Sequence, residues 1–195
     1  MRLGVFGGTF DPPHVGHLLV AVDACERLEL DRLLFLPAAT QPLKAGRETA
    51  PAADRLAMTR LLAVGDARFG VEPMEIARGG LSFTVDTLRA LRAREPEAAL
   101  VLCVGADAFA QFAEWREPGT IAQLATVAVL ARAGRQPAAD ALAAAPGAVV
   151  VPVRRVDVSS TEIRLRAAAG QSLRGFVTEP VAEYCSTHAL YRPRT

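Results

Sequence analysis

Lysine is nearly missing from this chain. Lys44 is the only one, every other long basic side chain is an arginine, and the formal net charge is +1. That balance excludes a bulk nucleic-acid or anionic-membrane binder, so each basic residue is judged by its position. Cysteine is scarce as well. Cys25, Cys103 and Cys185 are far apart, odd in number and form no Cys-x-x-Cys pair. This excludes a disulfide framework and predicts buried free thiols in a reducing compartment. No apolar run is long enough to span a membrane, and the first strand begins without a basic leader or a drawn-out apolar segment. The expectation is a cytoplasmic protein with neither membrane nor nucleic acid among its partners. Two familiar phosphate-binding signatures are also absent: Gly-x-x-x-x-Gly-Lys-Ser/Thr, and the Gly-x-Gly-x-x-Gly that a dinucleotide-dependent dehydrogenase would need after its first strand. No internal repeat is visible.

Hydrophobic residues make up 51% of the chain and charged residues 22%, which suits one folded domain over 1–195. Short apolar runs predict strands at 3–6, 33–36, 69–71, 100–104, 126–130 and 149–152. Helical spacing predicts helices at 15–28, 53–64, 83–94, 160–169 and 180–187, with Ser82 a candidate N-cap and a polar loop over 39–51. The alanine-rich stretch 138–145 reads as a surface helix. Strands alternating with helices imply an α/β fold, a doubly wound parallel sheet covered on both faces. Ligands of such sheets bind beyond the carboxyl ends of the strands.

Residues 7–17 read Gly-Gly-Thr-Phe-Asp-Pro-Pro-His-Val-Gly-His, directly after the first apolar run. Gly7 and Gly8 lack side chains, so backbone N–H groups there can approach a phosphate. The following helix start adds unpaired N–H donors and partial positive charge. His14 and His17, three apart, project to one side and can donate to the same anion, with Gly16 keeping the surface between them low. Two such histidines could also hold a metal, but His188 is remote and no cysteine is near, so no zinc site is expected. A second helix start, Val158-Ser-Ser-Thr-Glu-Ile-Arg164, follows the last strand. It reads equally as another anion site or as a serine cap beside a surface arginine. Asp107, after Gly105, could accept from ribose hydroxyls or cap a helix. Trp115, the only tryptophan, suits either stacking on a flat cationic ring or packing in a groove.

The eleven residues 7–17 resemble the His-x-Gly-His signature of the nucleotidyltransferase superfamily, and their wording is most similar to that of the bacterial nicotinate-nucleotide adenylyltransferases. Ser-Ser-Thr-Glu-Ile-Arg at 159–164 is similar to the family's second signature, and Ser-Phe-Thr-Val-Asp-Thr-Leu at 82–88 to its Ser-Tyr-Thr-x-Asp-Thr-Leu segment. The resemblance implies a Rossmann-like sheet of nucleotidyltransferase type. It implies adenylyl transfer from ATP to nicotinate mononucleotide, with release of pyrophosphate. By the same resemblance Gly7, Gly8, Thr9, Phe10, His14, His17, Gly105, Asp107, Ser159, Ser160, Thr161 and Arg164 bind ATP. His14, His17, Lys44 and Arg164 serve catalysis, and Thr84, Trp115, Arg132 and Lys44 hold the second substrate. Mg²⁺ is expected to arrive with ATP, because no carboxylate cage is visible. The chain departs from the family at 40–44, where Thr-Gln-Pro-Leu-Lys replaces Asn-Pro-Pro-His-Lys, and at Phe83, which replaces a tyrosine. It also lacks the second tryptophan often seen three positions after the first. The alternatives are a related transferase whose acceptor is nicotinamide mononucleotide, phosphopantetheine or FMN, and a non-catalytic nucleotide sensor on the same fold.

Overall fold

Period-two alternation of large apolar residues lets each central strand bury both faces. Leu3 and Val5 face one layer and Phe6 the other; Leu34 and Leu36 oppose Leu33 and Phe35; Leu100, Leu102 and Val104 oppose Val101 and Cys103. The structure is a computed structural model and describes residues 1–44, 46, 48–132, 137 and 139–193, with the side chains of Lys44 and Arg132 outside the described residues. In chain order the elements are β1 (Arg2–Gly8), α1 (Val15–Arg27), β2 (Arg32–Pro37), α2 (Ala52–Ala63), β3 (Phe69–Val71), α3 (Met74–Arg78), α4 (Thr84–Arg94), β4 (Ala99–Gly105), α5 (Ala106–Phe109), α6 (Pro118–Leu124), β5 (Thr126–Arg132), α7 (Ala139–Ala143), β6 (Val149–Val153), α8 (Ser160–Ala168) and α9 (Glu179–Thr187). Tight 3-10 turns occupy Pro42–Lys44 and Phe112–Glu114.

The strands form one parallel sheet in the order β3-β2-β1-β4-β5-β6. Strand order reverses between β1 and β4, so their carboxyl ends open a crevice where neighbouring connections leave in opposite directions. Gly7 and Gly8 end β1 there, and Gly105 ends β4. One face of the sheet is covered through Ala21, Ala24 and Cys25 of α1, Met58 and Leu62 of α2, Ile163 of α8 and Val181 of α9. The other is covered through Val85, Leu88 and Leu91 of α4, Phe109 of α5 and Ile121 of α6. The doubly wound sheet is therefore as expected. No helix among the described residues is long and apolar enough to cross a membrane.

Two local expectations change. Ser82 does not cap α4: Phe83 is the N-cap residue, and the Ser82 hydroxyl instead accepts the Ala39 N–H at 2.9 Å. A long-range bond to the loop after β2 wins over the local cap. The alanine-rich helix is not a plain surface element, because Ala141 and Ala145 are buried in the second core. Small side chains let this backbone lie close against the layer beneath it. The three cysteines are free and buried, and burial pushes the Cys103 thiol up to about 12 and those of Cys25 and Cys185 to about 11. They are packing residues, not nucleophiles.

Candidate active site

The glycines of the first motif have separate tasks. A Cβ on Gly7 would meet nothing within 4 Å, so this residue opens onto the crevice. A Cβ on Gly8 would stand 2.9 Å from the Phe10 ring. Phe10 itself adopts a left-handed backbone (φ 50°) and is buried, its ring packed edge-on against Phe6, Phe35 and His17. The structure thus places the Phe10 side chain in the core, behind His17. Gly16 is similar to Gly8 in effect. Its Cβ would lie 2.9 Å from His14 Nδ1, so the glycine makes room for the histidine ring itself.

His14 and His17 open α1 as a close pair, with ring centroids 3.8 Å apart and planes inclined by 33°. The His14 backbone N–H donates to His17 Nδ1 at 3.2 Å. An accepting Nδ1 leaves the His17 proton on Nε2. His14 is only 8% exposed and its Nδ1 is buried without a partner. Burial lowers its pKa from 6.5 to about 4, so the imidazole is neutral at pH 7. A histidine with a lowered folded pKa destabilises the fold wherever the unfolded chain binds a proton that the folded chain refuses. The stability His14 provides is therefore complete above pH 6.5 and falls as pH drops towards 4, by up to about 3 kcal/mol. Urea titrations of wild type and His14→Gln between pH 7 and 4.5 should show the wild type losing stability faster; parallel curves would contradict the buried neutral imidazole.

The second motif is stitched to the first. The Ser160 hydroxyl donates to the Pro12 carbonyl at 2.8 Å, and Arg164 Nη1 donates to the Asp11 carbonyl at 2.8 Å. Ser159 caps α8 by accepting the Glu162 N–H, and Thr161 Oγ1 accepts from Arg164 Nη2. All three hydroxyls therefore have protein partners.

Three residues outside the sequence-based candidates complete the framework. Asp11 is 4% exposed, and its Oδ1 accepts from the Ala50 N–H at 3.1 Å and the Tyr191 hydroxyl at 2.8 Å. Its Oδ2 lies 3.7 Å from Arg164. Burial and the Asp11 carboxylate push the Tyr191 phenol well above its usual range. Arg55 is 1% exposed and donates to the carbonyls of Ala50, Thr9, Ala38 and Ala39. Asp11 could have been suspected from its place in the motif. Arg55 and Tyr191 carry no local signal, because their partners are remote in sequence.

Two cavities meet at Gly105. One, of about 260 Å³, is lined by His14, His17, Asp107, Val153, Val156 and Val158. At its rim Arg154 is paired with the buried Asp23 at 2.6 Å, and hydrogen bonds from Arg154 hold the Asp23 carboxyl below its ordinary pKa. The other, of about 170 Å³, is lined by Gly7, Gly8, Glu75, Phe83, Thr84 and Trp115. The Trp115 Nε1–H is buried there without a partner, and its ring leans on Phe112. The Arg116 guanidinium lies 4.9 Å from the centre of the Phe83 ring, at the edge of the same cavity. Thr9 bonds Gln41 rather than facing either cavity. The turn that ends in Lys44 borders the second cavity through Pro42 and Leu43. The side chains of Lys44 and Arg132 lie outside the described residues. Among the described residues no group of three His, Cys, Asp or Glu side chains is placed to hold a metal ion.

Two helix starts and two adjoining cavities lie at the switch point of the sheet. The cytidylyltransferase-like family model matches residues 5–166. A protein of Gemmatimonas aurantiaca named "Probable nicotinate-nucleotide adenylyltransferase" is 48% identical over 98% of this chain and 93% of its own length. A Thermus thermophilus protein of the same name is 45% identical over 98% of this chain and 100% of its own length. This chain belongs to the nicotinate-nucleotide adenylyltransferase family. The fold agrees: a Plasmodium falciparum nicotinic acid mononucleotide adenylyltransferase, solved with NaAD, superposes with a TM-score of 0.79 over 97% of both chains at 14% identity. Within the family frame, Phe83 and Leu43 stand where the sequence departs from the usual wording, and both line the Trp115 cavity.

Proposed function

We propose that the chain, acting as a single catalytic domain in the cytoplasm, transfers the adenylyl group of ATP to nicotinate mononucleotide. The observation that carries this reading is the junction at Gly105 of a histidine-lined cavity and a tryptophan-lined one, beside two anion-binding helix starts. ATP occupies the His14–His17 side, with its ribose towards Asp107 and its phosphates towards Gly7, Gly8 and the first turns of α1 and α8. Nicotinate mononucleotide occupies the other side. Its ring stacks on Trp115, and its carboxylate faces Thr84 at the positive end of α4.

An oxygen of the mononucleotide phosphate bonds to the α-phosphorus of ATP while the bond from that phosphorus to the bridging oxygen breaks, and pyrophosphate leaves in line. The nucleophile is already an anion at neutral pH, so no general base is required. The protein holds two polyanions together and offsets the charge that gathers on the transferring group. His17 Nε2–H is the donor to the α-phosphoryl oxygens, His14 and Arg164 contact the phosphates, and Lys44, at the end of its 3-10 turn, and Arg132, at the end of β5, add charge. A divalent cation, Mg²⁺ in this reading, enters as the companion of ATP and neutralises part of its charge. The deciding experiment is pyrophosphate release from ATP with nicotinate or nicotinamide mononucleotide as acceptor. Preference for the acid is expected; preference for the amide would overturn the acceptor assignment.

Trp115→Ala should raise KM for nicotinate mononucleotide about 10–100-fold, the worth of one aromatic stack, with kcat and the ATP KM near wild type. A rise confined to the ATP KM would mean that the two substrates are assigned to the wrong cavities.

A further inference from the structure

One buried carboxyl in the acceptor cavity has no part in the reaction above. Glu75, on α3, is 7% exposed and lines the Trp115 cavity together with Ser82, Phe83, Thr84 and Thr87. Its Oε1 accepts the Thr87 hydroxyl at 2.7 Å. Ser82 and Thr87 are themselves buried. They stand on either side of Thr84, the first residue of α4.

Ser82 reaches the opposite wall. Ser82 Oγ accepts the Ala39 N–H at 2.9 Å, and the Ser82 N–H donates to the Thr40 carbonyl at 2.9 Å. The loop that continues from Thr40 supplies Gln41, Pro42 and Leu43 to the cavity. The α4 start is thus held on one side by the Thr87–Glu75 bond and on the other by the Ser82 bonds to the facing loop.

We propose that Glu75 is a specificity-determining positioning residue: by accepting the Thr87 hydroxyl it sets the α4 first turn at the distance that favours a pyridine carboxylate over a carboxamide. This rests on the acceptor reading given above. The free N–H groups of a helix first turn reward an anion, and the reward is lost within a short displacement. A carboxamide, neutral and itself an N–H donor, gains less from the same placement. Glu75 acts through its acceptor oxygens. Burial pushes its carboxyl pKa up.

The test is steady-state kinetics with ATP and each of the two mononucleotides, on wild type, Glu75→Ala, Glu75→Gln and Thr87→Val. Glu75→Ala should raise KM for nicotinate mononucleotide about tenfold and reduce the acid-over-amide preference by a similar factor, with kcat and the ATP KM within about threefold of wild type. Glu75→Gln keeps an acceptor oxygen and should stay within about threefold of wild type in every constant. Thr87→Val, nearly isosteric, should shift the preference in the same direction as Glu75→Ala by a smaller factor, and it decides the matter if the alanine variant fails to fold. An unchanged acid-over-amide preference in Glu75→Ala and Thr87→Val, or Glu75→Gln as impaired as Glu75→Ala, would overturn the proposal. Wild-type enzyme that prefers the amide would overturn the acceptor reading instead, so the two failures are distinguishable.

Discussion

Replacing His17 by alanine should lower kcat by about 10²–10³ with both substrates saturating, the cost of removing one preorganised donor to the charge that develops in transfer. The expectation is large because the geometry leaves this side chain little freedom. Its Nδ1 is occupied by the His14 N–H at 3.2 Å, which puts the proton on Nε2 and fixes the ring plane. One face is flanked by His14 at 3.8 Å, and the Phe10 ring meets it nearly at right angles at 5.0 Å. No reorganisation is then needed when the α-phosphoryl group gains charge. The alanine variant also loses the acceptor for the α1 N-terminus, a loss of about 1 kcal/mol that thermal unfolding would register separately. A fall in kcat with little change in either KM marks a transition-state contact. Turnover within a few-fold of wild type would remove His17 from that role and shift the burden to Arg164 and the helix amides.

Much of this site could be read from the sequence because its chemistry is local. Gly-Gly after a strand, two histidines at a helix start and a serine-capped arginine helix are short-range patterns, and the sheet brings them to one crevice. What escaped the sequence is the set of contacts made by residues far apart in the chain. Ser82 has the composition of an N-cap, yet its hydroxyl goes to Ala39, forty-three positions away. Phe10 sits inside the phosphate motif, and its ring serves the core beneath it. Gly16 looks like a lowered surface for a ligand, and its missing Cβ is filled by the His14 ring. The Ser159, Ser160 and Thr161 hydroxyls look like phosphate donors, and each already has a protein partner. In all four cases the local pattern was silent about which neighbour the fold would deliver. Glu75 and Arg55 show the limit most plainly. Arg55 lies in the expected helix 53–64 and Glu75 in α3, a helix that the periodicity did not predict, and only the convergence of other parts of the chain buries them.

Arg55 carries the largest expected effect on stability. Arg55→Met, which roughly keeps the volume, should destabilise the fold by about 3–5 kcal/mol, a large share of the 5–15 kcal/mol that holds a typical domain. The guanidinium donates to carbonyls at Thr9, Ala38, Ala39 and Ala50, with distances between 2.7 and 3.1 Å. These oxygens belong to the phosphate motif, to the chain leaving β2 and to the segment entering α2. Without the arginine the Ala38 carbonyl is a buried acceptor with a lost partner, costing about 1–3 kcal/mol before relaxation, and the three part-buried carbonyls lose theirs at a smaller cost each. A term of opposite sign reduces the sum. Burial disfavours the charged guanidinium and lowers its pKa, and methionine removes that desolvation cost. The carbonyl term dominates because several oxygens converge on one side chain that no water-sized substitution reproduces. Arg55→Lys should recover only part of the loss, since a single ammonium cannot reach acceptors spread around a planar fork. Urea unfolding followed by tryptophan fluorescence measures both variants. A methionine variant with a wild-type midpoint would show that the loops hold their positions without the arginine. A destabilised but folded variant should also show raised KM values for both substrates, because Ala38 lines the Trp115 cavity and Thr9 belongs to the first motif.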